Sequence, residues 1–476
     1  MKFKDLRGYL REQEKNGDLA VIKQEVDWNL EVGAIIRLSA ERGTRRAPFF
    51  EKIKGYPSGR IVGRSGYGRR RFATGLGLSP DTSWREIQDV MKSRVAHPVE
   101  PTIVKDGPCK ENIMVGDEVD LFSLPVPKIT GGEEGRYIGT LAIQITKDPD
   151  SDWVNWGTYR MMVHDRNRAA VYFHRQNQGG LLFYDKYESK GKNMPMAVAI
   201  GLDPVCQMAA AIPFEVGESE VRYAGSLKQE PIELVKCETV DFYVPASAEI
   251  ILEGEVLCGE RLPEGPFGEW TRHQSTTSMS PVFRVNAITH RTNPIITVGI
   301  IGMSQDEGAF IAATQEIKVK SFLQQCGVPV VDVHAIEATG GAIWAVSVRR
   351  TEVVNIANRI ADCIRAIQLG GCPVMIIVVD DDVDVFNLTE VMHTLGVRCH
   401  PAKGIKIRTD QVVNRLLPYL SPDEKAGMKG GVAVFDCTWP EYIKPDSIPL
   451  RCTFRQAYPK EVQERILSNW TTYGLE

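Results

Sequence analysis

The middle of the chain is dominated by short segments typical of β-strands, and this feature constrains the fold most. Between residues 137 and 298, Val, Ile, Tyr and Thr are frequent, several segments alternate apolar with polar residues, and Gly, Asn, Asp and Pro separate them. So many strands in one continuous stretch predict a barrel or a sandwich. The clearest segments are YIGTLAIQIT, YRMMVHD, AAVYFHR, PMAVAIGLD, EIILEGEV and VFRVNAITH.

The stretches on either side of this β-rich region mix helices with strands. Near the N-terminus, one helix is predicted to end at Asn16-Gly17, a second to run near residues 30–41, and a third to open with a capping box at Ser83 and end before Pro98. Pro-containing stretches between residues 97 and 126 predict a domain boundary.

From about residue 317 the order changes to strand, helix, strand, helix. The segments are AIWAVSVRR, TEVVNIANRIADCIRAI, PVMIIVVDD and NLTEVMHTLG. This order predicts a parallel sheet with covering helices. The final PKEVQERILSNWTTYGLE predicts a terminal helix that could dock on a neighbouring part of the molecule or on another subunit.

Composition and charge exclude several classes of protein. Lys and Arg total 57 against 61 Asp and Glu, so the net charge of −4 gives no electrostatic reason to expect nucleic acid or an anionic membrane as a partner. No apolar run reaches the length of a membrane span, and the opening residues lack the apolar core of a secretory signal. The ten cysteines form no CxxC pair, so reduced thiols in a cytoplasmic enzyme are expected.

The segment EGPFGEW carries the strongest local signal for catalysis. It places Glu264 and Glu269 on either side of Gly265-Pro266 and Gly268, which predicts a shaped loop rather than a helix or strand. Such a loop could aim two carboxylates into a cavity, where one of them would act as a general acid. The alternative interpretation is a surface turn with two solvated glutamates.

A second signal is an arginine within an apolar β segment. Arg160 precedes Met161, Met162 and Val163, and burying its charge is costly without an anionic partner from the protein or from a ligand. Asn155 lies at the start of the same region and His174 at the end of the next predicted strand. For His174 alone, a histidine bonded to backbone is the simpler interpretation.

A third signal is a set of glutamates in the polar segment EVGESEVRYAG. Glu215, Glu218 and Glu220 are each expected to be solvated when considered singly. With Asn155 and His174, one of them would complete an oxygen and nitrogen ligand set suited to Mn²⁺ or Mg²⁺.

Other motifs are weaker or missing. GRRRF is expected to be a solvated face, although it could bind a phosphate. Asp380-Asp381-Asp382 predicts a turn and the N-cap of the next helix. The sequence has no GxGxxG motif after a strand, no P-loop and no GxSxG.

Four segments in their order along the chain resemble the UbiD-like decarboxylases, which use prenylated FMN to remove or add a carboxylate on aromatic and α,β-unsaturated acids. The segments are NWGTYR, ESEVRYAG, IELVKCETVDFYVPASAEIILEGEV and LPEGPFGEW. The resemblance implies a multidomain α/β fold: an N-terminal α/β domain over residues 1–115, a flavin-binding split β-barrel over 116–310, and a C-terminal α/β oligomerisation domain with a terminal helix over 311–476.

The resemblance also implies functional residues. Arg160, Glu264 and Glu269 match the family's catalytic network, and Asn155, His174 and Glu220 match the residues that hold Mn²⁺ against the flavin phosphate, with K⁺ nearby. The positions that would bind the flavin are Thr158, Tyr159, Arg160, Ala209, Ala210 and Lys429.

The implied activity is a reversible, non-oxidative decarboxylation, with Arg160 orienting the carboxylate and Glu269 donating a proton. A hydroxybenzoate is the expected substrate, and a flavin prenyltransferase would supply the cofactor to a homo-oligomer, either a dimer or a hexamer. The alternatives are a pyrrole, furan or polyprenyl-hydroxybenzoate acid, a partner-dependent subunit of a larger carboxylase, or a Mn²⁺/Mg²⁺ hydrolase that uses Glu264 and Glu269.

Overall fold

The computed structural model describes residues 3–66, 68–175, 177–212, 214–300, 306–350, 355–367, 369 and 371–474, with only the backbone for 306–310. Its first part mixes helices with short strands. The elements are α1 (Leu6–Lys15), β1 (Leu19–Val26), α2 (Glu31–Glu41), β2 (Ala47–Ile53), β3 (Arg60–Gly63), α3 (Arg69–Gly75), α4 (Trp84–Val95), β4 (Thr102–Val104) and β5 (Asn112–Val115).

Local capping signals set the C-terminal end of α1 and the N-terminal end of α4, as predicted. The Asn16 N–H caps α1, and Gly17 follows with φ of 67°, a left-handed conformation that favours glycine. Ser83 and Glu86 form the predicted capping box at α4, in which each side chain accepts a bond from the other's backbone N–H.

The central part forms the predicted β-rich domain. Its elements are β6 (Arg136–Tyr137), β7 (Ala142–Lys147), β8 (Val154–Gly157), β9 (Met161–Val163), β10 (Arg168–Val171), α5 (Gln178–Gly180, continued as a wider helical turn through Leu181–Tyr187), β11 (Met194–Ile200), α6 (Pro204–Ala211), α7 (Glu220–Lys228), β12 (Glu233–Lys236), β13 (Tyr243–Pro245), β14 (Ile250–Glu264), β15 (Ser278–His290) and β16 (Ile295–Val298).

One antiparallel sheet of nine strands organises this part. Its order is β6-β9-β10-β15-β14-β11-β7-β8, and β5 also pairs with β15. Some strand pairs join residues on either side of the predicted domain bounds. β16 pairs with β3 at the edge of the N-terminal sheet, whose order is β1-β2-β3-β16, and β4 pairs with β12. The bounds at 115/116 and 310/311 therefore stay a prediction, while the three-part fold class is confirmed.

A shared hydrophobic cluster joins the N-terminal part to the central sheet. Val32 and Ile36 of α2 are fully buried and belong to the same cluster as Met196, Leu252 and Phe283 of the sheet. Burying each such side chain contributes about 1.5–3 kcal/mol relative to leaving it in water. This packing supports the strands that carry the candidate site.

The C-terminal part contains the predicted alternation of strands and helices. Its elements are α8 (Asp306–Gln325), β17 (Val330–Ala335), β18 (Ile343–Val348), α9 (Ile356–Ala366), β19 (Met375–Asp380), α10 (Leu388–Arg398), β20 (Ile405–Val412), α11 (Pro422–Gly427), β21 (Lys429–Cys437), α12 (Phe454–Ala457) and α13 (Lys460–Ser468).

The C-terminal sheet is parallel only at its centre. In the order β17-β18-β19-β21-β20, the strands β18, β19 and β21 are parallel, whereas β17 and β20 pair antiparallel at the edges. The short connection from β17 to β18 forces an antiparallel pair, because a parallel crossover needs about a dozen residues. The start of the predicted helix at 351–354 lies outside the described residues.

Two details of the C-terminal part differ from the sequence predictions. Asn387, rather than the aspartate triple, caps α10. Asp380 is instead buried, where it pairs with the Arg398 guanidinium and accepts the Trp439 N–H at 2.7 Å. The terminal helix α13 is shorter than predicted, and none of its residues is buried. Among the described residues, no helix has the length and hydrophobicity needed to cross a membrane.

Candidate active site

Two strand ends of the central sheet and one loop bring the candidate catalytic side chains together. Arg160 directly precedes β9, and Glu264 is the last residue of β14, so the predicted loop begins one residue later than expected. Gly265 turns the chain with φ of 100°, and the following loop returns Glu269 to the same place. Arg160 Nε lies 2.7 Å from Glu264 Oε1 and Nη2 lies 3.0 Å from Oε2, a bidentate pair. Arg160 Nη1 donates to Glu269.

This Glu-Arg-Glu network is removed from solvent. Glu264 is fully buried, and the side chains of Arg160 and Glu269 are only 10% and 11% exposed. Burial opposes the charge of Arg160, but the two carboxylates outweigh it and raise the pKa of Arg160 above its ordinary value. The protein itself therefore supplies the anionic partner that the sequence required, and the two glutamates are not a solvated surface turn.

Tyr137 makes the two glutamates unequal. Its hydroxyl donates to Glu264 Oε1 at 2.9 Å, and burial together with the Glu264 charge raises the pKa of Tyr137 far above its usual range, which keeps the hydroxyl protonated. Glu264 thus accepts three hydrogen bonds, from Tyr137 and twice from Arg160. Among the described residues, Arg160 alone donates to the Glu269 carboxylate. Glu264 is therefore anchored by more hydrogen bonds than Glu269.

Two aromatic rings lie close to the Arg160 guanidinium. Its central carbon lies 4.2 Å from the centre of the Tyr172 ring and 4.9 Å from that of Phe267. Phe267 in turn packs on Tyr137, with ring centres 4.5 Å apart. Sequence reasoning missed the roles of all three aromatic residues, because nothing in their spacing distinguishes them from ordinary strand residues.

Two buried oxygens without partners mark a second part of the site. Asn155 lies in β8 and Glu220 begins α7, so Glu220 starts a helix rather than lying in the predicted loop. Both residues are fully buried, and Asn155 Oδ1 and Glu220 Oε1 have no hydrogen-bond partner in the part of the chain that the structure describes. Glu220 Oε2 accepts the N–H of Trp156, the neighbour of Asn155, at 3.0 Å.

These two oxygens suit a cation. Burial raises the pKa of Glu220 to about 8, so a bound positive charge would be needed to keep this carboxylate ionised at neutral pH. Amide and carboxylate oxygens are ligands that hard divalent ions accept. Across the described ranges, no three side chains of His, Cys, Asp and Glu gather into a metal site, so a site here would need the Asn155 amide.

The remaining predicted ligands differ in their surroundings. His174 follows β10, is half-buried, and has its pKa lowered by burial and by Arg415, which favours the neutral ring that a metal requires. Glu215 is exposed, whereas Glu218 accepts the Tyr223 hydroxyl and the Glu215 N–H. Glu215 is therefore solvated, and Glu218 has a structural role.

The predicted flavin-lining residues fall in two regions. Thr158 and Tyr159 lie between Asn155 and Arg160, and the buried Ala209 and Ala210 lie on α6, which packs on β7 and β8. The Tyr159 N–H and carbonyl both bond the Gln144 side chain at 2.7 Å, and its hydroxyl accepts the Gly179 N–H at 2.9 Å, so its backbone and its side chain are both bonded within the protein. Lys429 is exposed at the start of β21 in the C-terminal sheet.

Comparisons with known proteins agree with this architecture. Models of the 3-octaprenyl-4-hydroxybenzoate carboxy-lyase match the chain with its N-terminal domain over 10–91, its Rift-related domain over 102–304 and its C-terminal domain over 309–437. The pyrrole-2-carboxylic acid decarboxylase of Pseudomonas aeruginosa is 32% identical, over 99% of this chain and 98% of its own length.

Solved structures share the whole fold. The open form of vanillic acid decarboxylase from Sedimentibacter hydroxybenzoicus superposes with a TM-score of 0.86 at 30% identity, covering 99% of this chain and 100% of that one. The UbiD-class enzyme HmfF from Pelotomaculum thermopropionicum, in complex with FMN, gives 0.85 at 29% identity, covering 94% and 97%. The fold, the family models and the relatives thus agree that the chain belongs to the UbiD family of carboxy-lyases.

Proposed function

We propose that the chain removes the carboxylate of an aromatic or heteroaromatic acid, reversibly and without net oxidation, with prenylated FMN as its cofactor and a hydroxybenzoate-type acid as its substrate. The observation that carries this proposal is the buried Arg160 between Glu264 and Glu269 in a chain of this family. Relatives named for pyrrole-2-carboxylic acid and for phenolic acids, and HmfF structures with FMN and prenylated FMN, support it.

The side chains of the network have separate tasks in this reaction. Arg160 binds the substrate carboxylate and orients it, since its planar guanidinium suits a carboxylate and is fixed by two aromatic rings. Glu264, held by three hydrogen bonds, keeps Arg160 in place. Prenylated FMN, when bound, supplies the electron sink for breaking the bond to CO₂. Glu269 then donates a proton to the carbon that has lost CO₂.

A divalent ion would help to hold the cofactor. Asn155, His174 and Glu220 would hold Mn²⁺ at the flavin phosphate, with K⁺ nearby, and the unpartnered oxygens of Asn155 and Glu220 support this placement. Five further residues would bind the flavin, and a flavin prenyltransferase would supply it. These residues are Thr158, Tyr159, Ala209, Ala210 and Lys429.

Several alternatives share the same chemistry. A pyrrole, furan or polyprenyl-hydroxybenzoate acid would use the same side chains, and a small partner subunit is suggested by the second chain, ShVdcD, in the Sedimentibacter enzyme. We expect a cytoplasmic homo-oligomer, either a dimer or a hexamer. The metal-hydrolase alternative loses its basis, because Glu264 and Glu269 are both engaged by Arg160 in a carboxy-lyase fold.

Expression of the chain with and without a flavin prenyltransferase tests the proposal. The absorption spectrum of each preparation reports bound flavin, and CO₂ release is measured over hydroxybenzoates, pyrrole- and furan-carboxylates, with Glu269→Gln as the matched inactive control. We expect a coloured protein that releases CO₂ only when the prenyltransferase is present. A colourless protein in both preparations would refute the cofactor, and a loaded protein without activity would favour the partner-dependent subunit.

A further inference from the structure

A segment of the C-terminal part lies against the candidate active site. Residues 413–420 connect β20 to α11, and Val413, Leu417 and Leu420 are buried in a small hydrophobic cluster of that part. Trp270, the neighbour of Glu269, packs against this cluster. The 413–420 segment therefore borders the loop that carries Glu269.

The same segment reaches the site at a second point through Arg415. Its Nη2 donates to the Tyr172 hydroxyl at 2.8 Å, and the Tyr172 ring is the one that stacks on Arg160. The Tyr172 side chain thus contacts both guanidinium groups, that of Arg160 at its ring and that of Arg415 at its hydroxyl.

Arg415 has no counter-charge among the described residues. Its side chain is exposed, its hydrogen bond goes to the Tyr172 hydroxyl, and no carboxylate of that part of the chain lies within salt-bridge distance. Arg160, in contrast, has both of its carboxylates in place. An unpaired guanidinium beside an acid-binding site attracts an anion or a strong hydrogen-bond acceptor.

We propose that Arg415 is a specificity-determining residue, which binds a second acceptor on the substrate ring. The acceptor is a phenolic oxygen or a second carboxylate, at the opposite end of the ring from the carboxylate held by Arg160. This inference rests on the proposed function, which supplies the aromatic acid. Because both guanidinium groups contact the same tyrosine side chain, a single aromatic acid with a second polar group can meet both of them.

A purely structural role for Arg415 makes a different prediction. If the bond to Tyr172 only held the C-terminal part on the site, its loss would slow the turnover of every acid by the same factor. If Arg415 binds the substrate, its loss changes kcat/KM only for acids with a second acceptor. The comparison of substrates therefore separates the two roles.

The experiment uses the cofactor-loaded protein with benzoate, 4-hydroxybenzoate and benzene-1,4-dicarboxylate. In Arg415→Gln we expect kcat/KM for the two acceptor-bearing acids to fall about 10- to 100-fold, the usual weight of a charged hydrogen bond, while that for benzoate stays within about twofold. Arg415→Lys should restore part of the loss. Arg42→Gln, at an exposed arginine after α2, is the matched control.

A binding measurement keeps the test independent of turnover. Equilibrium dialysis of the loaded Glu269→Gln protein should show tighter binding of the dicarboxylate than of benzoate, and adding Arg415→Gln should remove the difference. Equal losses for all acids, or none, would overturn the role of Arg415. Absence of CO₂ release from every acid, with the binding difference intact, would instead count against the proposed function alone.

Discussion

The unequal hydrogen bonding of the two glutamates predicts that replacing each with glutamine has a different outcome. Glu264→Gln replaces a carboxylate that accepts three hydrogen bonds by a neutral amide. The amide N–H₂ then faces a hydrogen-bond donor of Tyr137 or Arg160 and cannot accept its hydrogen bond. Glu269→Gln changes a carboxylate that accepts one bond from Arg160 and keeps some contact with solvent. Both changes preserve side-chain volume, so no cavity complicates the comparison.

The expected magnitudes follow from these contacts. Breaking a buried ion pair costs about 3–5 kcal/mol of folding stability, and Glu264→Gln should lie near the lower end because Glu269 still faces Arg160. Glu269→Gln should cost about 1.5 kcal/mol, the low end for a hydrogen bond to a charged group. Loss of a general acid slows turnover by about 10²–10⁴-fold, so Glu269→Gln should be nearly inactive although it is the more stable variant.

Thermal unfolding, the flavin absorption spectrum and CO₂ release are measured together on the loaded variants. Glu260→Gln, at an exposed residue late in β14, is the control and should change stability by less than about 0.5 kcal/mol. Equal unfolding temperatures for the two glutamate variants would refute the unequal anchoring. Near wild-type turnover by Glu269→Gln would refute its role as the proton donor.

Three further predictions test other contacts. Tyr137→Phe removes one bond to Glu264 and should lower stability by about 1.5–3 kcal/mol with a smaller loss of turnover than Glu264→Gln; unchanged unfolding and kinetics would contradict this anchoring. Burial raises the pKa of Asp332, but the ion pairs with Arg85 and Lys320 outweigh burial and lower it. The ion pairs therefore stabilise the fold at pH values above the ordinary aspartate pKa, and this stabilisation is lost as the pH falls through the lowered pKa. The difference in unfolding temperature between wild type and Asp332→Asn should therefore shrink on acidification, and a constant difference would argue against the ion pairs. Glu220→Gln should reduce the manganese content of the purified protein, as measured by elemental analysis, and wild-type stoichiometry in this variant would rule out Glu220 as a ligand.

The sequence predicted the local features of the fold well because short-range interactions determine them. The capping box at Ser83 and the glycine after α1 act within a single turn of helix. The antiparallel edges of the C-terminal sheet could not be predicted in this way, since strand direction depends on pairing between distant segments. The prediction that the aspartate triple caps α10 is wrong, because Asp380 pairs with Arg398, a contact that no local pattern reveals.

The candidate site shows the same limit. An arginine in an apolar strand required an anionic partner, but the partner Glu264 lies 104 residues away in the sequence. Tyr137 and Arg415 join the site only through tertiary contacts, over 127 residues to Glu264 and 243 residues to Tyr172. Residue chemistry could therefore indicate what the site needs, whereas the fold determines which side chains provide it.

The central claim is that Glu269 donates a proton to the carbon that has already lost CO₂, and isotope exchange tests it most directly. Loaded wild type and Glu269→Gln are incubated with substrate and ¹³C-bicarbonate in D₂O, and mass spectrometry follows both acid and product. Wild type should place ¹³C in the acid and one deuterium in the product. Glu269→Gln should still exchange ¹³C into the acid while forming almost no product. Product formation by Glu269→Gln at the wild-type rate would contradict the account.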